Sequence, residues 1–517
     1  MDQRLWSICQ AMIRIIDSAL NGITMYRLAL YYVAGLLLVA FGFGFVGLVP
    51  NDPTALTFSA VVILGVCWVT NHLFATLLRV PANAESVYIT AFILALILPP
   101  TTAANLPGVA GLILASFVAI ASKFVLTFHQ KHIFNPVAIG VAASALALDQ
   151  PATWWAGGNL PLAPLVLIGG LLVTRKVQRL DMVGVYLLAN LGVTLATSRF
   201  GQYDEALTQS LLYSPLFFAG FAMLTEPLTS PHAKGARLVY GAIVGALSSP
   251  NVHVMDFYLT PEIAFLVGNI FAWIVSPKGR FKLTLVSVEE MAADCYDFIF
   301  ASNRKVGFRS GQYLDWTLDV ANPDNRGNRR PFTIASAPTE IEIRLGVKFY
   351  PGASAFKRAL AKMQPGDVIY GSHLAGEFTL PRDNDAKLAF IAGGIGVTPF
   401  RSMVQELLDK QTPRPIVMLY GNNTGDEIAY AELFDQAERE LGIRTVYAVA
   451  DGPPPDRDNV HQGFIDAALI EREVPDYSER TFYISGPRAM VVRFQRLLND
   501  LGVARSRIKV DYFPGYA

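Results

Sequence analysis

A long apolar region between residues 28 and 275 constrains the fold of this chain more than any other feature. It contains about ten apolar segments, most of them near the roughly 20-residue length that a helix needs to cross a bilayer. The segments lie at about residues 28–49, 55–78, 87–99, 106–127, 134–149, 161–174, 181–198, 210–224, 236–249 and 258–275. With 52% hydrophobic and only 16% charged residues, the 517-residue chain is too apolar for an ordinary soluble enzyme. The pattern predicts a polytopic α-helical membrane domain followed by a soluble part.

The charges between these segments predict how the membrane domain is oriented. Every second loop is basic, with residues such as Arg79, Lys131 and Lys234, whereas the opposite loops contain one basic residue, Arg199. By the positive-inside rule, both termini lie in the cytoplasm. We therefore expect a multi-pass protein of a bacterial-type inner (cytoplasmic) membrane. Apolar residues at helical spacing within residues 1–24 predict an interfacial N-terminal helix.

Two matched breaks in the apolar region indicate an internal repeat. The third segment runs into Pro99 and Pro100, and the eighth runs into Pro227. These breaks fall at corresponding places in two halves of five segments each, which is typical of an inverted repeat with a site near the middle of the membrane. The alternative is that proline simply ends each helix at the membrane surface.

Composition changes sharply after residue 277, where charges become regular and apolar runs shorten. Residues 281–381 contain many short alternating stretches, which predict a β-barrel. Residues 382–517 alternate strand-like and helix-like stretches, which predict a Rossmann-like α/β domain with a parallel sheet. The expected domains are therefore an interfacial helix (1–24), a transmembrane domain (25–277), a barrel (281–381) and an α/β domain (382–517).

Two stretches of the predicted barrel contain residue types that can hold a flavin. A flavin needs a cation near its diphosphate, an apolar face for its ring and hydrogen bonds at the ring edge. The first stretch can supply these groups, and its residues are Arg330, Pro331, Phe332 and Thr333. The second stretch ends a predicted strand and begins a helix, where free backbone N–H groups can take a phosphate. Its candidate residues are Lys348, Gly352, Ala353 and Ser354.

A glycine-rich turn between a buried strand and a helix predicts a dinucleotide site in the α/β domain. Glycine lets the backbone approach a diphosphate, and the N-terminus of the helix favours the negative charge. The candidate binding residues of this turn are Gly393, Gly394, Gly396, Thr398 and Pro399. Two further strand ends are expected at the same edge of the sheet. Their candidate residues are Gly421, Asn422, Ser485, Gly486 and Pro487.

In combination these motifs resemble the ferredoxin–NADP reductase family, in which a flavin-binding β-barrel precedes a nicotinamide-binding α/β domain. The resemblance covers residues 281–517 and implies FAD in the barrel and NADH or NADPH in the α/β domain. It also implies catalytic positions for Ser485 and for the aromatic ring of Phe513. Phe332 stands where the family usually has Tyr, and Ser485 stands where Cys is common. Two acidic residues after the second strand, Asp426 and Glu427, favour NADH over NADPH.

Two motifs of the apolar region resemble the NqrB/RnfD family, the large membrane subunits of the Na⁺-translocating NADH:quinone reductase and the Rnf complex. The motifs occupy residues 130–136 and 224–231, and the second has Glu where Asp is usual. The resemblance implies ten helices and flavin sites. Its candidate residues are His132, Asn135, Glu226, Thr229 and Ser230. Helix caps at Asn135 and Thr229 are the alternative interpretation. The family's FMN attachment motif is incomplete here, with Thr153 as the nearest match, so a membrane-domain FMN or other flavin is expected to be non-covalent.

The two resemblances together imply a membrane-bound NAD(P)H dehydrogenase. Electrons would pass from cytosolic NADH through FAD and a membrane-domain flavin to an extracytoplasmic acceptor, such as a flavin-carrying protein. One alternative is NAD(P)H:quinone reduction, with or without ion pumping. Another is a transporter or channel gated by a nucleotide-sensing domain. Other redox subunits are potential partners, and a formal net charge of zero gives no indication of nucleic-acid binding.

Metal-based electron transfer is disfavoured by the sequence. The three cysteines are scattered along the chain, which argues against an iron–sulfur cluster held by this chain alone. A haem-containing membrane reductase needs paired axial histidines on facing helices. Of the seven histidines only His72 lies deep in an apolar segment, so no metal site is expected.

Overall fold

The computed structural model describes residues 23–78, 84–128, 131–231, 233–255, 257–276, 280–320, 328–452 and 457–511, together with Ile16 and Leu20. The chain divides into two compact units, Met1–Gly279 and Arg280–Ala517. The boundary lies beside the change of composition at residue 277. The predicted interfacial helix falls almost wholly outside the described residues.

The first unit is helical, and a helix is present at each of the ten apolar segments. Its helices are α1 (Met25–Phe45), α2 (Pro53–Leu78), α3 (Ala84–Ile97), α4 (Leu106–Val125), α5 (Pro136–Leu148), α6 (Ala163–Val177), α7 (Leu180–Thr197), α8 (Tyr203–Leu212), α9 (Leu216–Phe218), α10 (Lys234–Leu247) and α11 (Pro261–Val275). Helix α9 continues as a π-helical turn, Ala219–Met223.

Five of the described helices are long and apolar enough to cross a membrane. They are Met25–Phe45, Pro53–Leu78, Leu106–Val125, Leu160–Val177 and Leu180–Thr197. The fourth of these consists of the 3-10 turn Leu160–Leu162 and helix α6. A sixth span results if Tyr203–Leu212 and Leu216–Met223, which are bent by 52°, form one broken span. Shorter apolar helices are also present, among them Pro136–Leu148 and Pro261–Val275. The apolar helical character of this region is therefore confirmed, while ten membrane crossings stay a prediction.

The carbonyl groups at the broken end of helix α3 find hydrogen-bond partners elsewhere in the first unit. The prolines at positions 99 and 100 stop the helix, which leaves its last carbonyl groups without partners within the helix. The backbone N–H groups of Thr153 and Trp154 donate to the Ile97 carbonyl at 3.0 and 2.9 Å. The N–H of Ala156 donates to the Leu96 carbonyl at 3.3 Å. The segment after helix α5 thus satisfies the broken end of α3.

The two halves of the first unit share local features. Helices α4 and α5 are joined by the hairpin of β1 (Thr127–Phe128) and β2 (Lys131–His132), and helices α10 and α11 by that of β3 (His253–Val254) and β4 (Phe257–Tyr258). Helices α5 and α11 each begin with proline directly after the N-cap residue.

Glycines allow close helix contacts in both halves of this unit. A Cβ at Gly140 in α5 would lie 2.4 Å from the Ala115 carbonyl oxygen of α4. A Cβ at Gly245 in α10 would lie 2.3 Å from the Tyr186 carbonyl oxygen of α7. Small residues permit this approach of backbones inside a membrane, where packing rather than water drives helix association.

The second unit begins with a curled antiparallel sheet in the order β8-β7-β10-β5-β6-β9. Its strands are β5 (Phe281–Ala292), β6 (Cys295–Ser302), β7 (Tyr313–Thr317), β8 (Arg329–Thr333), β9 (Ile343–Lys348) and β10 (Val368–Ala375). Alternate residues such as Leu283, Leu314 and Trp316 are fully buried, because successive side chains of a strand point to opposite faces. The short helix α12 (Ala355–Leu360) packs Phe356 into this core.

A parallel α/β sheet follows, in the order β14-β13-β12-β11-β15-β16. Its strands are β11 (Leu388–Gly393), β12 (Ile416–Asn422), β13 (Arg444–Val449), β14 (Val460–Gln462), β15 (Thr481–Ser485) and β16 (Ile508–Asp511). Its helices are α13 (Thr398–Asp409), α14 (Ala431–Leu441), α15 (Ala467–Glu473) and α16 (Arg488–Asp500). Every residue of β11 is buried, as expected for the central strand of a sheet covered on both faces.

Candidate active site

The order of the parallel sheet reverses beside strand β11. The chain passes from β11 to β12, β13 and β14 on one side, and then returns to β15 and β16 on the other. Ligands of parallel α/β sheets bind beyond the carboxyl ends of the strands at such a reversal. The predicted residues Gly393, Asn422 and Ser485 end the three adjacent strands β11, β12 and β15. The structure therefore brings the three predicted turns to one edge.

Two of these turns touch through their backbones. A Cβ at Gly396 would lie 2.6 Å from the Cα of Gly486 and 2.7 Å from the Ser485 carbonyl oxygen. The φ angle of Gly394 is +51°, in the left-handed region that favours glycine. The turn then passes directly into α13, with Pro399 in the first helical turn where no N–H is needed. Only glycine fits this approach, so the glycine-rich pattern has a steric cause.

Strand β8 of the barrel presents the predicted flavin-binding residues. The Arg330 guanidinium carbon lies 5.6 Å from the centre of the Phe356 ring, and the half-buried Phe332 ring lies 5.9 Å from the same ring. Thr333 at the end of the strand is buried. This arrangement supplies a cation, an apolar ring and a hydroxyl along one short strand, as the sequence predicts for a flavin site.

Asp511 lies beside Thr333 of strand β8, and the sequence analysis assigned it no functional role. It ends β16 in register with Ser485 of β15. Burial raises the pKa of the Asp511 carboxyl to about 7, and the neighbouring Thr333 hydroxyl opposes this rise. The available signal was its place in the chain, an acidic residue at the end of an apolar strand.

Buried polar atoms without well-aligned hydrogen-bond partners collect at this edge. Within the described part of the chain they include Thr333 Oγ1, Asp511 Oδ2 and both polar side-chain atoms of Asn422. Leaving such an atom unpaired costs about 1–3 kcal/mol, and buried polar groups in native proteins normally have partners. The side chains of Thr333 and Asp511 also interact with each other, whereas Asn422 ends β12, which β11 and β15 separate from β16. Thr333 and Asp511 offer the kind of donor and acceptor that the edge of a flavin ring needs.

The residues of the predicted phosphate-binding stretch have partners within the protein. The ammonium of Lys348 pairs with the Glu427 carboxylate at 2.6 Å, and the side chains of both residues are largely buried. Gly352 has a φ angle of +79°, and Ser354 caps the six-residue helix α12 by accepting from the Lys357 N–H at 3.3 Å. Ala353 accepts through its carbonyl from the Arg358 guanidinium at 2.5 Å. Lys348 thus pairs with a carboxylate of the α/β domain, and its role in cofactor binding stays a prediction.

The two acidic residues that favoured NADH both follow β12, but their surroundings differ. Glu427 is engaged by Lys348, and the Asp426 carbonyl accepts from the Ala293 N–H at 2.9 Å. An exposed carboxylate, Asp451, instead follows β13 at the carboxyl edge of the sheet. Its backbone N–H donates to the Asn423 carbonyl at 2.7 Å, which fixes the loop beside β12. Phe513, the predicted aromatic partner of the flavin, lies outside the described residues.

The predicted residues of the first unit also converge. The Glu226 carboxylate accepts hydrogen bonds from Asn135 Nδ2 at 2.8 Å and Thr229 Oγ1 at 3.0 Å, and its other oxygen lies 3.2 Å from His132 Nε2. The Ser230 hydroxyl donates to the Glu226 carbonyl at 2.8 Å. All five candidate residues therefore form one polar cluster after the break in the eighth segment.

Two buried residues that the sequence analysis missed complete this cluster. Asn269 in α11 accepts from the Asn135 N–H at 2.7 Å and donates to the Thr229 carbonyl at 3.2 Å and to the Tyr240 hydroxyl at 3.3 Å. A polar residue inside an apolar segment was the available signal. Asn135 also caps α5 by accepting from the N–H groups of Val137 and Ala138. The capping interpretation and the cluster are therefore both correct for Asn135.

Comparisons with known proteins place a reductase module in the second unit. The family model described as "Oxidoreductase NAD-binding domain" matches residues 390–496. One component of the Na(+)-translocating NADH-quinone reductase of Yersinia pestis is 35% identical over 158 residues, which cover 30% of this chain and 39% of that protein. A flavohemoprotein of Burkholderia sp. is 29% identical over 208 residues, which cover 40% of this chain and 51% of that protein.

A solved structure, the FAD/NAD-binding domain of nitric oxide dioxygenase from Vibrio cholerae, is 22% identical. That match covers 45% of this chain and 97% of the domain, with a TM-score of 0.40. The chain spans about two fifths of the length of the NADH-quinone reductase components that it matches, 39%. The sequence matches confirm the prediction of a ferredoxin reductase-like module that binds FAD and a nicotinamide dinucleotide. The resemblance of residues 25–275 to NqrB/RnfD stays a prediction.

We expect the raised pKa of Asp511 to make stability depend on pH. Between about pH 4 and pH 7 the unfolded chain has released this proton while the folded chain retains it, so the free energy of unfolding falls as pH rises. Three pKa units correspond to a loss of roughly 4 kcal/mol at most, complete above about pH 7. Thermal unfolding of the full chain at pH 5 to 8 should show this fall in the wild type and its absence in Asp511→Asn. Asp500→Asn, which changes an exposed carboxylate, is the control and should keep the pH dependence of the wild type. Parallel pH curves for the wild type and Asp511→Asn would contradict the assignment.

Proposed function

We propose that this protein is a membrane-bound NADH dehydrogenase that moves electrons from cytosolic NADH to an acceptor on the opposite side of the membrane. The observation that carries the proposal is the convergence of three strand-end turns at one edge of the sheet, where Asp511 of β16 meets Thr333 at the end of β8. When bound, FAD would accept a hydride and release electrons one at a time, which is the chemistry that this site requires.

The residues of the second unit would divide the work of binding and orientation. Arg330 would neutralise the flavin diphosphate, Phe332 would cover one ring face, and the Thr333 hydroxyl would bind the ring edge. The turn at residues 393–399 would hold the dinucleotide diphosphate through backbone N–H groups. Asp511 and Ser485 lie in register on neighbouring strands, where they would border the place of hydride transfer.

The first unit would carry the electrons through the membrane with a second, non-covalent flavin. In support, the polar cluster around Glu226 draws on the broken eighth segment, the start of α5 and helix α11. Polar groups at membrane depth are costly and are typical of functional sites. Matched hairpins, proline starts and breaks in the two halves support an inverted repeat of five segments each.

Two alternatives make different predictions for the acceptor. The relative that is named as part of an NADH-quinone reductase favours reduction of a quinone within the membrane. A transporter or channel gated by nucleotide binding would not turn over NADH. The side of the membrane on which the acceptor is reduced separates the proposal from quinone reduction, and the absence of NADH oxidation identifies the transporter.

We expect Asp451 to set the preference for NADH. A carboxylate can accept hydrogen bonds from both hydroxyls of the adenosine ribose and would repel the additional phosphate of NADPH. A hydrogen bond to a charged group contributes roughly 1.5–3 kcal/mol, so Asp451→Ser should lower the ratio of kcat/KM for NADH over NADPH by about tenfold or more. Asp426→Ser is the matched control, because Asp426 is the exposed acidic residue after β12 that the sequence favoured. The assignment fails if Asp426→Ser changes the ratio and Asp451→Ser does not.

Sealed vesicles test the proposed function as a whole. The full chain is reconstituted so that the second unit faces outward, with ferricyanide, which does not cross the bilayer, trapped inside. External NADH should reduce the trapped ferricyanide, and permeabilised vesicles give the total capacity as a control. Reduction of an added quinone alone would instead support NADH:quinone reduction. Absence of NADH oxidation in intact and permeabilised vesicles would leave the gated transporter as the surviving alternative.

A further inference from the structure

Arg401 connects the glycine-rich turn to the flavin-binding strand. It lies one helical turn after Thr398 in α13, and its exposed fraction is 7%. Its Nη1 donates to the Ala335 carbonyl at 3.1 Å, two residues beyond Thr333. Both guanidinium Nη atoms donate to the Glu340 carboxylate, Nη2 at 3.0 Å. Only two or three residues therefore separate each end of this link from a predicted binding residue.

The neighbouring residue strengthens the same connection. The hydroxyl of the fully buried Ser402 donates to the Ser336 carbonyl at 2.6 Å. Two consecutive residues of α13 thus hold two consecutive carbonyl groups that follow β8. Such a double attachment limits both sliding and rotation of the α/β domain relative to the barrel.

The connection continues into a network of partly and fully buried charges within the second unit. Glu340 Oε1 lies 3.4 Å from Arg344 Nε, and Arg344 Nη1 lies 3.1 Å from Asp297 Oδ2. The Asp297 side chain has an exposed fraction of 1%. The Arg401 guanidinium carbon lies 5.8 Å from the Tyr430 ring centre, and a Cβ at Gly346 would lie 2.8 Å from the Tyr430 hydroxyl. The α/β domain contributes Arg401 and Tyr430, and the barrel contributes the remaining partners.

We propose that Arg401 is a positioning residue that sets the distance between the nicotinamide and the flavin, an inference that rests on the proposed function. Its planar guanidinium reaches a carbonyl and both carboxylate oxygens at once, which the single ammonium of lysine cannot reproduce. Hydride transfer depends steeply on the approach of the two rings, and a misplacement of about 1 Å can cost roughly 100-fold in rate. Arg401 thus acts on the reaction by connecting the glycine-rich turn before α13 to the segment that follows β8, without contacting the reacting atoms.

A purely structural role is the alternative, and Arg480 provides a matched control for it. Arg480 Nε donates to Asp476 Oδ1 at 2.5 Å, and its Nη1 donates to the Leu388 and Pro415 carbonyls at 2.8 and 2.9 Å. Its side chain has an exposed fraction of 11%. Like Arg401, it joins a carboxylate and main-chain carbonyls, but all of these partners belong to the α/β domain.

The test compares Arg401→Lys with Arg480→Lys in the purified full chain. Stopped-flow reduction of the bound flavin at increasing NADH gives a limiting rate and an apparent Kd. We expect Arg401→Lys to lower the limiting rate by about tenfold or more, with the apparent Kd and the flavin content near wild type. The charge-transfer absorption between nicotinamide and flavin should weaken in parallel. Arg480→Lys should keep the wild-type limiting rate, even where its melting temperature falls as much as that of Arg401→Lys.

Glu340→Gln removes the same contact from the barrel side and serves if Arg401→Lys does not fold. It should reproduce the loss of limiting rate, since the Glu340 carboxylate accepts hydrogen bonds from both Nη atoms of Arg401. Wild-type limiting rates in Arg401→Lys or Glu340→Gln, with lowered melting temperatures only, would overturn the inference. A wild-type protein whose flavin NADH fails to reduce would instead overturn the proposed function, so the two failures are distinguishable.

Discussion

The candidate active site depends on the backbone contact between the turn that follows β11 and the turn that follows β15. Gly396 and Gly486 approach so closely that any side chain at residue 396 would collide with the opposite backbone. Because these strands are parallel neighbours at the reversal of the sheet, their turns must share one edge. The contact determines where a dinucleotide diphosphate can lie. At the same edge of the sheet, Asp511 ends the next strand beyond β15 and interacts with Thr333 of the barrel.

A second constraint is the pairing of charges that are withdrawn from water in part or in full, and the two units solve it in related ways. In the first unit the Glu226 carboxylate receives hydrogen bonds from neutral donors of separate elements. In the second unit Arg401 and Glu340 form a forked pair across the two domains. Each arrangement fixes elements that are distant in sequence, because an unpaired buried charge would be strongly destabilising. In both units, the contacts that connect distant parts of the chain therefore lie at or beside the candidate sites.

Much of the fold follows from sequence patterns that have a local cause. Hydrophobic length predicted the helices of the first unit, and the strand–glycine turn–helix order at residues 388–409 predicted the central βα unit of the sheet. The partners of charged side chains were not predictable in the same way. The pairing of Lys348 with Glu427 joins residues 79 positions apart, and only the fold brings them together. Asp451 lies in no recognisable motif, whereas Asn269 could have been noticed as a polar residue inside an apolar segment.

The most direct measurement of the central claim is an anaerobic titration of the purified full chain with NADH, followed through its visible flavin absorption. The account predicts a yellow protein whose flavin absorption is bleached by NADH. Gly396→Val should retain the flavin but lose the bleaching, because its side chain would enter the Gly486 backbone. A purified wild-type protein without bound flavin, or with a flavin that NADH leaves oxidised, would contradict the account.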